Sequence, residues 1–321
     1  MLGLFMQDRK TIVILGGGGF IGSYLVESLV QNGHLVKVVG RDIEKMKQLR
    51  MCGCVGQVIL HSCNILDLEL LTEITVGADV IINLVGILDQ QDQRFDDIHV
   101  RGVENVISVV RKNSIKYVVH LSAFLEDGNK ANYATTKLQG EKILRTISKQ
   151  LLLVRPSVVF GKQDNFLNLF GRLLSILPIM PVMRVSKYRL QPLYVMDLVT
   201  FITKAIELSY VGCCDAVGPK SYSILDILLL VKKTIHSRVY LLPVPNSLYK
   251  FFAYFCQHKI SIPFTKIITG NTRYLSTVDQ VITLEHDNSN VVANSGLKGF
   301  LNKLYTLEEL AEEVLRPYII S

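Results

Sequence analysis

The first half of the chain alternates two hydrophobic patterns. Short, nearly unbroken apolar runs occur at Thr11–Leu15, Leu35–Val39, Val55–Leu60, Asp79–Val85, Tyr117–Leu121 and Leu151–Arg155. Their length and β-branched content predict buried strands. Between them, Ile21–Val30, Ile98–Arg111 and Ala131–Ile147 place apolar residues at helical spacing, and Glu44–Arg50 reads as a more polar helix. Strands that are apolar on both faces and separated by helices predict a parallel sheet covered on both sides. Right-handed crossovers then give a doubly wound, Rossmann-like α/β order.

After Arg155 the pattern loosens. Prolines at 178, 181, 192, 219, 243, 245 and 263 divide the chain into short elements, with clear helices at Val195–Leu208, Ile224–Ile235 and Leu307–Leu315. The last opens on Thr306 and Glu309, a capping-box pair. The expected organisation is a nucleotide-binding domain over residues 1–160. A smaller, irregular C-terminal α/β lobe follows over 161–321, with some segments returning to the sheet. Ligands of such sheets bind at the carboxyl ends of the strands, so the lobe is expected to close over that end.

Composition narrows the class. Of 321 residues, 49% are hydrophobic and 20% charged, which fits a globular fold and argues against disorder. Mean hydropathy is +0.31, high enough to imply a large core or an apolar surface that meets a partner or membrane. No uninterrupted apolar run has the length of a spanning helix; Leu169–Met183 is broken by Arg172, Pro178 and Pro181. The N-terminal Met1–Met6 lacks the basic flank of a signal peptide. The expected location is cytoplasmic, peripheral to the inner face of a membrane. The net charge of +7 is spread along the chain; it suits a solvated surface or attraction to anions, and no basic stripe interleaved with aromatics points to nucleic acid. The six cysteines show no zinc spacing, so free thiols and no metal are expected.

Between the first strand and helix stands Gly16-Gly-Gly-Gly-Phe-Ile-Gly22. Gly16, Gly19 and Gly22 satisfy one glycine fingerprint, and Gly17, Gly19 and Gly22 another. The chemistry needs a tight turn, a close backbone approach to pyrophosphate, and free N–H groups where Phe20, Ile21 and Gly22 open the helix. The second strand ends Val39-Gly40-Arg41-Asp42. Gly40 stands where an acid would bind the ribose 2′-hydroxyl of NAD(H). Arg41 offers a fork to a 2′-phosphate, so NADP(H) is favoured over NAD(H), with Asp42 as the rival acid. Asn64, after the third strand, suits either an adenine contact or a turn.

Tyr133-Ala-Thr-Thr-Lys137 lies on a predicted helix. The i, i+4 spacing puts both side chains on one face. A lysine ammonium beside the phenol lowers its pKa, and the tyrosine then exchanges a proton with a substrate oxygen.

These residues resemble an extended short-chain dehydrogenase/reductase. So do Asn83-Leu-Val-Gly86, Val154-Arg-Pro156, Phe160-Gly161 and Gln191-Pro-Leu-Tyr-Val-Met-Asp197. The resemblance implies that Leu84, Val85, Gly86 and Pro156 join the glycine loop, Tyr133 and Lys137 around a nicotinamide dinucleotide. A narrower likeness rests on Phe160–Asn168, Gln191–Asp197 and the Pro-rich, aromatic stretch Leu242–Pro263. It points to the dehydrogenase-like accessory subunit of respiratory complex I and its bacterial homologues. That family binds NADPH tightly, sits beside the membrane arm and is not known as a turnover enzyme, which implies complex I subunits or a membrane surface as partners. One departure matters. The hydroxyl that polarises a substrate carbonyl in active members aligns with Phe124, leaving Ser122 as the substitute. Two functions follow: an assembly protein with a mainly structural nucleotide, or an NADP-dependent reductase or epimerase. The second would act on a hydroxyl or keto group of a quinone-like, lipid-like or nucleotide-sugar substrate.

Overall fold

The computed structural model describes residues 9–88, 93–125, 131–183, 189–245 and 295–320. Seven parallel strands form the central sheet: β1 (Thr11–Leu15), β2 (Leu35–Gly40), β3 (Val58–Ser62), β4 (Val80–Asn83), β5 (Tyr117–Leu121), β6 (Leu151–Pro156) and, from later in the chain, Gly212–Ala216. Their order is β3-β2-β1-β4-β5-β6 and then the late strand, so the order in which the chain adds strands reverses between β1 and β4, which themselves pair in parallel. That switch point is where an open α/β sheet leaves a crevice at its carboxyl edge.

Strand residues divide by parity between two cores. Ile12 and Ile14 face one cluster, while Val13 and Leu15 face another on the opposite side. The first cluster is covered by α1 (Phe20–Gln31) and the second by α3 (Leu68–Ile74), α4 (Gly102–Lys112) and α5 (Asn132–Leu144). The short α2 (Ile43–Met46) contributes buried Met46 to the first.

The second half of the chain adds β7 (Val159–Phe160), α6 (Leu167–Ile176), β8 (Ile179–Met183), β9 (Arg189–Leu190), β10 (Leu193–Tyr194), α7 (Val195–Glu207), β11 (Gly212–Ala216), β12 (Tyr222–Ser223), α8 (Ile224–Thr234), β13 (Tyr240–Val244) and α9 (Leu307–Leu315). Helix α7 packs on α1, and β11 pairs with β6, so this stretch completes the main sheet and its cover. A third core joins α6, α8, α9 and the parallel β8–β13 ribbon. Capping boxes at Ser223/Asp226 and Thr306/Glu309 open α8 and α9. Most of the Leu242–Pro263 stretch, with Cys256, lies outside the described residues.

Several boundaries differ from the periodicity. β3 starts at Val58 because Gly56 turns at φ 82° just before it. The expected Glu44–Arg50 helix is α2 followed by a 3₁₀ segment, Lys47–Cys52. Asp67 caps the unforeseen α3 by accepting the Leu70 N–H at 3.1 Å. The helix expected from Ile98 begins as a π-type turn, Asp97–Arg101. The helix expected to Ile147 gives way after Leu144 to a 3₁₀ segment, because Ile147 leaves helical φ/ψ.

Candidate nucleotide site

The glycine loop joins β1 to α1 at the switch point. Gly16 sits at φ 78°, a region closed to most side chains, and its N–H donates to the Val39 carbonyl at 2.8 Å. A Cβ at Gly22 would stand 2.6 Å from the backbone of Gly17, so helix and turn touch directly. The first turn of α1 carries no acid, and Gly19 supplies no side-chain cap. A twelve-residue helix thus presents its positive end and the N–H groups of Phe20, Ile21 and Gly22 without a built-in anion. This fits a dinucleotide pyrophosphate.

Beside the loop lies a cleft of about 290 Å³. Gly16, Gly19, Arg41, Asn64, Leu84, Val85 and Gly86 line it, as the sequence suggested. Gly18, Lys45, Met46, Cys63, Ile65 and Gln93 also line it and were not foreseen. At the mouth, Arg41 Nη1 donates to Gln93 Oε1 at 2.8 Å. The rival acid, Asp42, also lines the cleft. Its carboxylate caps α2, accepting from the N–H groups of Glu44 (3.0 Å) and Lys45 (3.4 Å). Asn64 Oδ1 accepts the Leu66 N–H at 3.1 Å, so this residue makes a turn while lining the cleft. Burial pushes the Cys63 thiol up to about 11, which keeps it protonated.

At the other end stand Tyr133 and Lys137, one turn apart on α5. Lys137 is buried, and its Nζ donates to the Leu121 carbonyl at 3.3 Å. A Cβ at Gly86 would lie 3.2 Å from that Nζ, so lysine and cleft meet at Gly86. Burial draws the Lys137 pKa down to about 8, against the opposing pull of Glu141. Glu141 is itself held by Arg155, whose Nε donates to both carboxylate oxygens at 3.1 Å. The half-buried Tyr133 ring meets Phe95 edge-on at 5.9 Å and His99 at 5.5 Å.

His99 was not anticipated. It projects from the π-type turn and ties two elements together. Nε2 accepts the Ile87 N–H at 3.3 Å, and Nδ1 lies 3.0 Å from Thr136 Oγ1, whose own proton goes to the Asn132 carbonyl. The imidazole is therefore neutral with its proton on Nδ1. Burial, reinforced by Lys137, holds its pKa near 3. His120 is a second buried neutral imidazole. Its Nδ1 accepts from Asn83 Nδ2 at 3.1 Å while Asn83 Oδ1 accepts the Val85 N–H. Burial and then Lys137 lower its pKa far below the usual range.

Ser122 follows β5. Its N–H donates to the Val154 carbonyl, and its buried Oγ has no hydrogen-bond partner among the described residues. Two residues on, the Phe124 N–H donates to the Pro156 carbonyl at 2.8 Å. Of the expected site residues, Phe20, Ile21, Gly22, Ser122, Tyr133, Lys137 and Pro156 do not line the cleft itself. Ser122 sits after β5, Tyr133 and Lys137 on α5, and Pro156 at the end of β6.

Residues 12–210 match the NAD dependent epimerase/dehydratase family. Among curated proteins, the chain is 26% identical over 244 residues to the mitochondrial NADH-ubiquinone oxidoreductase 40 kDa subunit of Neurospora crassa, covering 75% of this chain and 64% of that one. It is 30% identical over 198 residues to the mitochondrial NADH dehydrogenase (ubiquinone) 1 alpha subcomplex subunit 9 of Dictyostelium discoideum, covering 60% and 54%. The matches thus span less than two thirds of these relatives' length. Among solved structures, a nucleoside-diphosphate-sugar epimerase from Staphylococcus aureus superposes with a TM-score of 0.66 at 13% identity, over 94% of this chain and 99% of that one.

Proposed function

The chain belongs to the NAD dependent epimerase/dehydratase family, and from that premise we propose that it is an NADP(H)-binding accessory component of respiratory NADH:ubiquinone oxidoreductase, its nucleotide mainly structural. What supports this reading is a glycine loop and an α1 terminus without a built-in anion beside the cleft, with Lys137 meeting it at Gly86, together with Phe124 at the position where the family resemblance expects a polarising hydroxyl. Loss of one such donor costs about 10²–10³ in rate. Arg41 at the ribose end, with Asp42 committed to a helix cap, supports NADP(H). The curated relatives support the respiratory setting.

Mass spectrometry and absorbance of the purified protein test the reading. Stoichiometric NADPH that stays reduced when carbonyl compounds and quinones are added is the expected result. Rapid oxidation would overturn the structural role.

A second reading has its own support. Tyr133 and Lys137 share a helix face, and the orphan Ser122 hydroxyl is buried nearby. A bound nicotinamide ring would supply or accept hydride. Tyr133 would hold the moving proton at its phenol oxygen, and Ser122 would donate to a substrate oxygen. Tyr133→Phe separates the readings. With nucleotide retained, loss of biological function assigns chemistry to the site; unchanged function supports the accessory role.

A further inference from the structure

On α5, Tyr133, Lys137 and Glu141 recur every four residues and so share one face. Lys137 is 6% exposed and Glu141 2%. A buried ammonium one turn from a buried carboxylate is expected to pair with it. No ion pair joins the two among the described residues. Lys137 Nζ instead donates to the Leu121 carbonyl and stands beside Gly86 at the edge of the cleft.

The carboxylate is taken from the other side, by β6. Arg155 Nε donates to both Glu141 oxygens at 3.1 Å, and its Nη2 donates to one of them. The sheet fixes this fork in place. β6 is an inner strand between β5 and β11, and parallel pairing sets Asp215 of β11 beside Arg155. Asp215 Oδ1 lies 4.0 Å from Arg155 Nη1 and is buried without a hydrogen-bond partner, so it balances the guanidinium by charge and leaves the fork to Glu141. The other groups facing Lys137 are Tyr133, one turn earlier on α5, and two neutral bases. Burial and then Lys137 itself keep His99 of the π-type turn and His120 of β5 uncharged.

We propose that Arg155 is a positioning residue for Lys137: by holding Glu141 it leaves the lysine ammonium at the cleft edge, free to bind a dinucleotide. Without Arg155, Glu141 would be an unpaired buried carboxylate, and Lys137 is the cation on its own helix face. Pairing would draw Nζ away from Gly86 toward a residue about 6 Å further along the helix axis. The proposal rests on the nucleotide reading for its ligand and on these three side chains for its geometry.

NADPH titration of the full chain against pH tests it, with Arg155→Gln, Glu141→Gln and the double variant. The first comparison is made at about pH 6, below the Lys137 pKa of about 8. Arg155→Gln should weaken NADPH about 10-fold, the scale of one charge-assisted hydrogen bond. Glu141→Gln should weaken it less than about threefold, and adding it to Arg155→Gln should return affinity to within about threefold of the parent. The parent's affinity should fall as pH rises through about 8. Arg155→Gln should move that fall to higher pH, because Glu141 then favours the ammonium, and Glu141→Gln should move it lower. A pair that only braces β6 against α5 gives another pattern: both single variants weaken NADPH alike, the double is no better, and neither midpoint moves. That result would overturn the proposal. Arg155→Lys keeps one charged donor on Glu141, should fall between parent and Arg155→Gln, and carries the test if the glutamine variant does not fold.

Folding stability supplies a readout without nucleotide. Lys137 titrates below its ordinary 10.5, so the penalty of burying its charge is relieved and stability rises between about pH 8 and 10.5; Lys137→Met should lack that rise. Arg155→Gln should shrink the rise and Glu141→Gln enlarge it. Unchanged slopes would overturn the proposal even where NADPH binds. A parent that binds no NADPH yet shows these slopes would overturn the nucleotide reading alone.

Discussion

Arg41→Ala is the most direct test of cofactor choice. Arg41 is exposed at the mouth of the cleft, immediately after β2, with its guanidinium oriented by Gln93. A charge-assisted fork on a phosphate contributes about 1.5–3 kcal/mol. Exposure to solvent and salt reduces this to about 1–2 kcal/mol, or roughly 5- to 30-fold in affinity. The variant should therefore bind NADPH about 5- to 30-fold more weakly and NADH within about twofold of the parent. Titration calorimetry with both nucleotides at two ionic strengths measures this, and the NADPH defect should shrink as salt rises. Equal weakening for both nucleotides, or loss of NADH alone, would refute the assignment.

Met46 explains why the reverse change is harder. A Cβ at Gly40 would lie 2.8 Å from Met46 Sδ, and Met46 is fully buried. The thioether fills the space an acid at position 40 would need. Gly40→Asp alone should impair both nucleotides, whereas Gly40→Asp with Met46→Ala and Arg41→Ala should turn preference toward NADH.

Gly22→Val should cost about 3 kcal/mol or more and abolish nucleotide retention, because the new side chain meets Gly16 and Gly17 backbone at 2.6–2.7 Å; denaturant unfolding and bound-nucleotide assay read both effects. His99 holds a folded pKa near 3 against an ordinary 6.5, so the unfolded chain protonates first and stability falls as pH drops below about 6.5. His99→Gln should flatten that limb by up to about 1.4 kcal/mol per pH unit, a change of slope in denaturant midpoints that lost packing alone does not produce. Asp197 is raised to about 6 by burial, so the folded state keeps the proton longer and stability declines as pH rises from about 4 to 6. Asp197→Asn, which preserves an acceptor for the Tyr305 N–H, should stabilise the protein by about 1–3 kcal/mol at pH 7 and remove that decline.

Local chemistry made much of this architecture readable in the residues. β1 and β5 fall where the apolar runs end, and the loop after β1 declares itself because only glycine tolerates Gly16's φ and Gly22's contact. β11 was invisible for the opposite reason. Gly212-Cys-Cys-Asp-Ala216 has no strand propensity, and only the open edge of β6 makes it a strand. The β8–β13 ribbon was hidden by prolines, which a two-stranded edge tolerates and a central sheet would not. At the site, Tyr133 and Lys137 were legible because one helix carries both. His99 was not, because its partners Ile87 and Thr136 lie 12 and 37 residues away. Met46 and Lys45 were missed because the α2 turn, not periodicity, swings them onto the cleft.

The path from phosphate loop to C-terminal lobe shows why a retained nucleotide could matter without turnover. Phe20, the first residue of α1, lies within 3.4 Å of where a Cβ at Gly161 would stand. One turn later, Tyr24 packs edge-on against Phe20 at 5.7 Å, and Lys162 lies close enough to oppose the rise that burial gives its pKa. Lys162 in turn pairs with Glu313 of α9 at 2.8 Å. The helix whose end faces the pyrophosphate therefore carries the seam between sheet and lobe on its next turn. A ligand bound only by the native arrangement stabilises it by RT ln(1 + [L]/Kd), about 4 kcal/mol at a thousandfold excess over Kd. Applied to α1, that stabilisation is expected to reach α9 along the contacts of Phe20, Tyr24 and the Lys162–Glu313 pair. Phe20→Ala should then leave the glycine loop able to hold nucleotide while weakening the rise in melting temperature that nucleotide confers on the lobe. A nucleotide acting at that seam would need no substrate and no polarising hydroxyl, in keeping with the accessory role proposed for it.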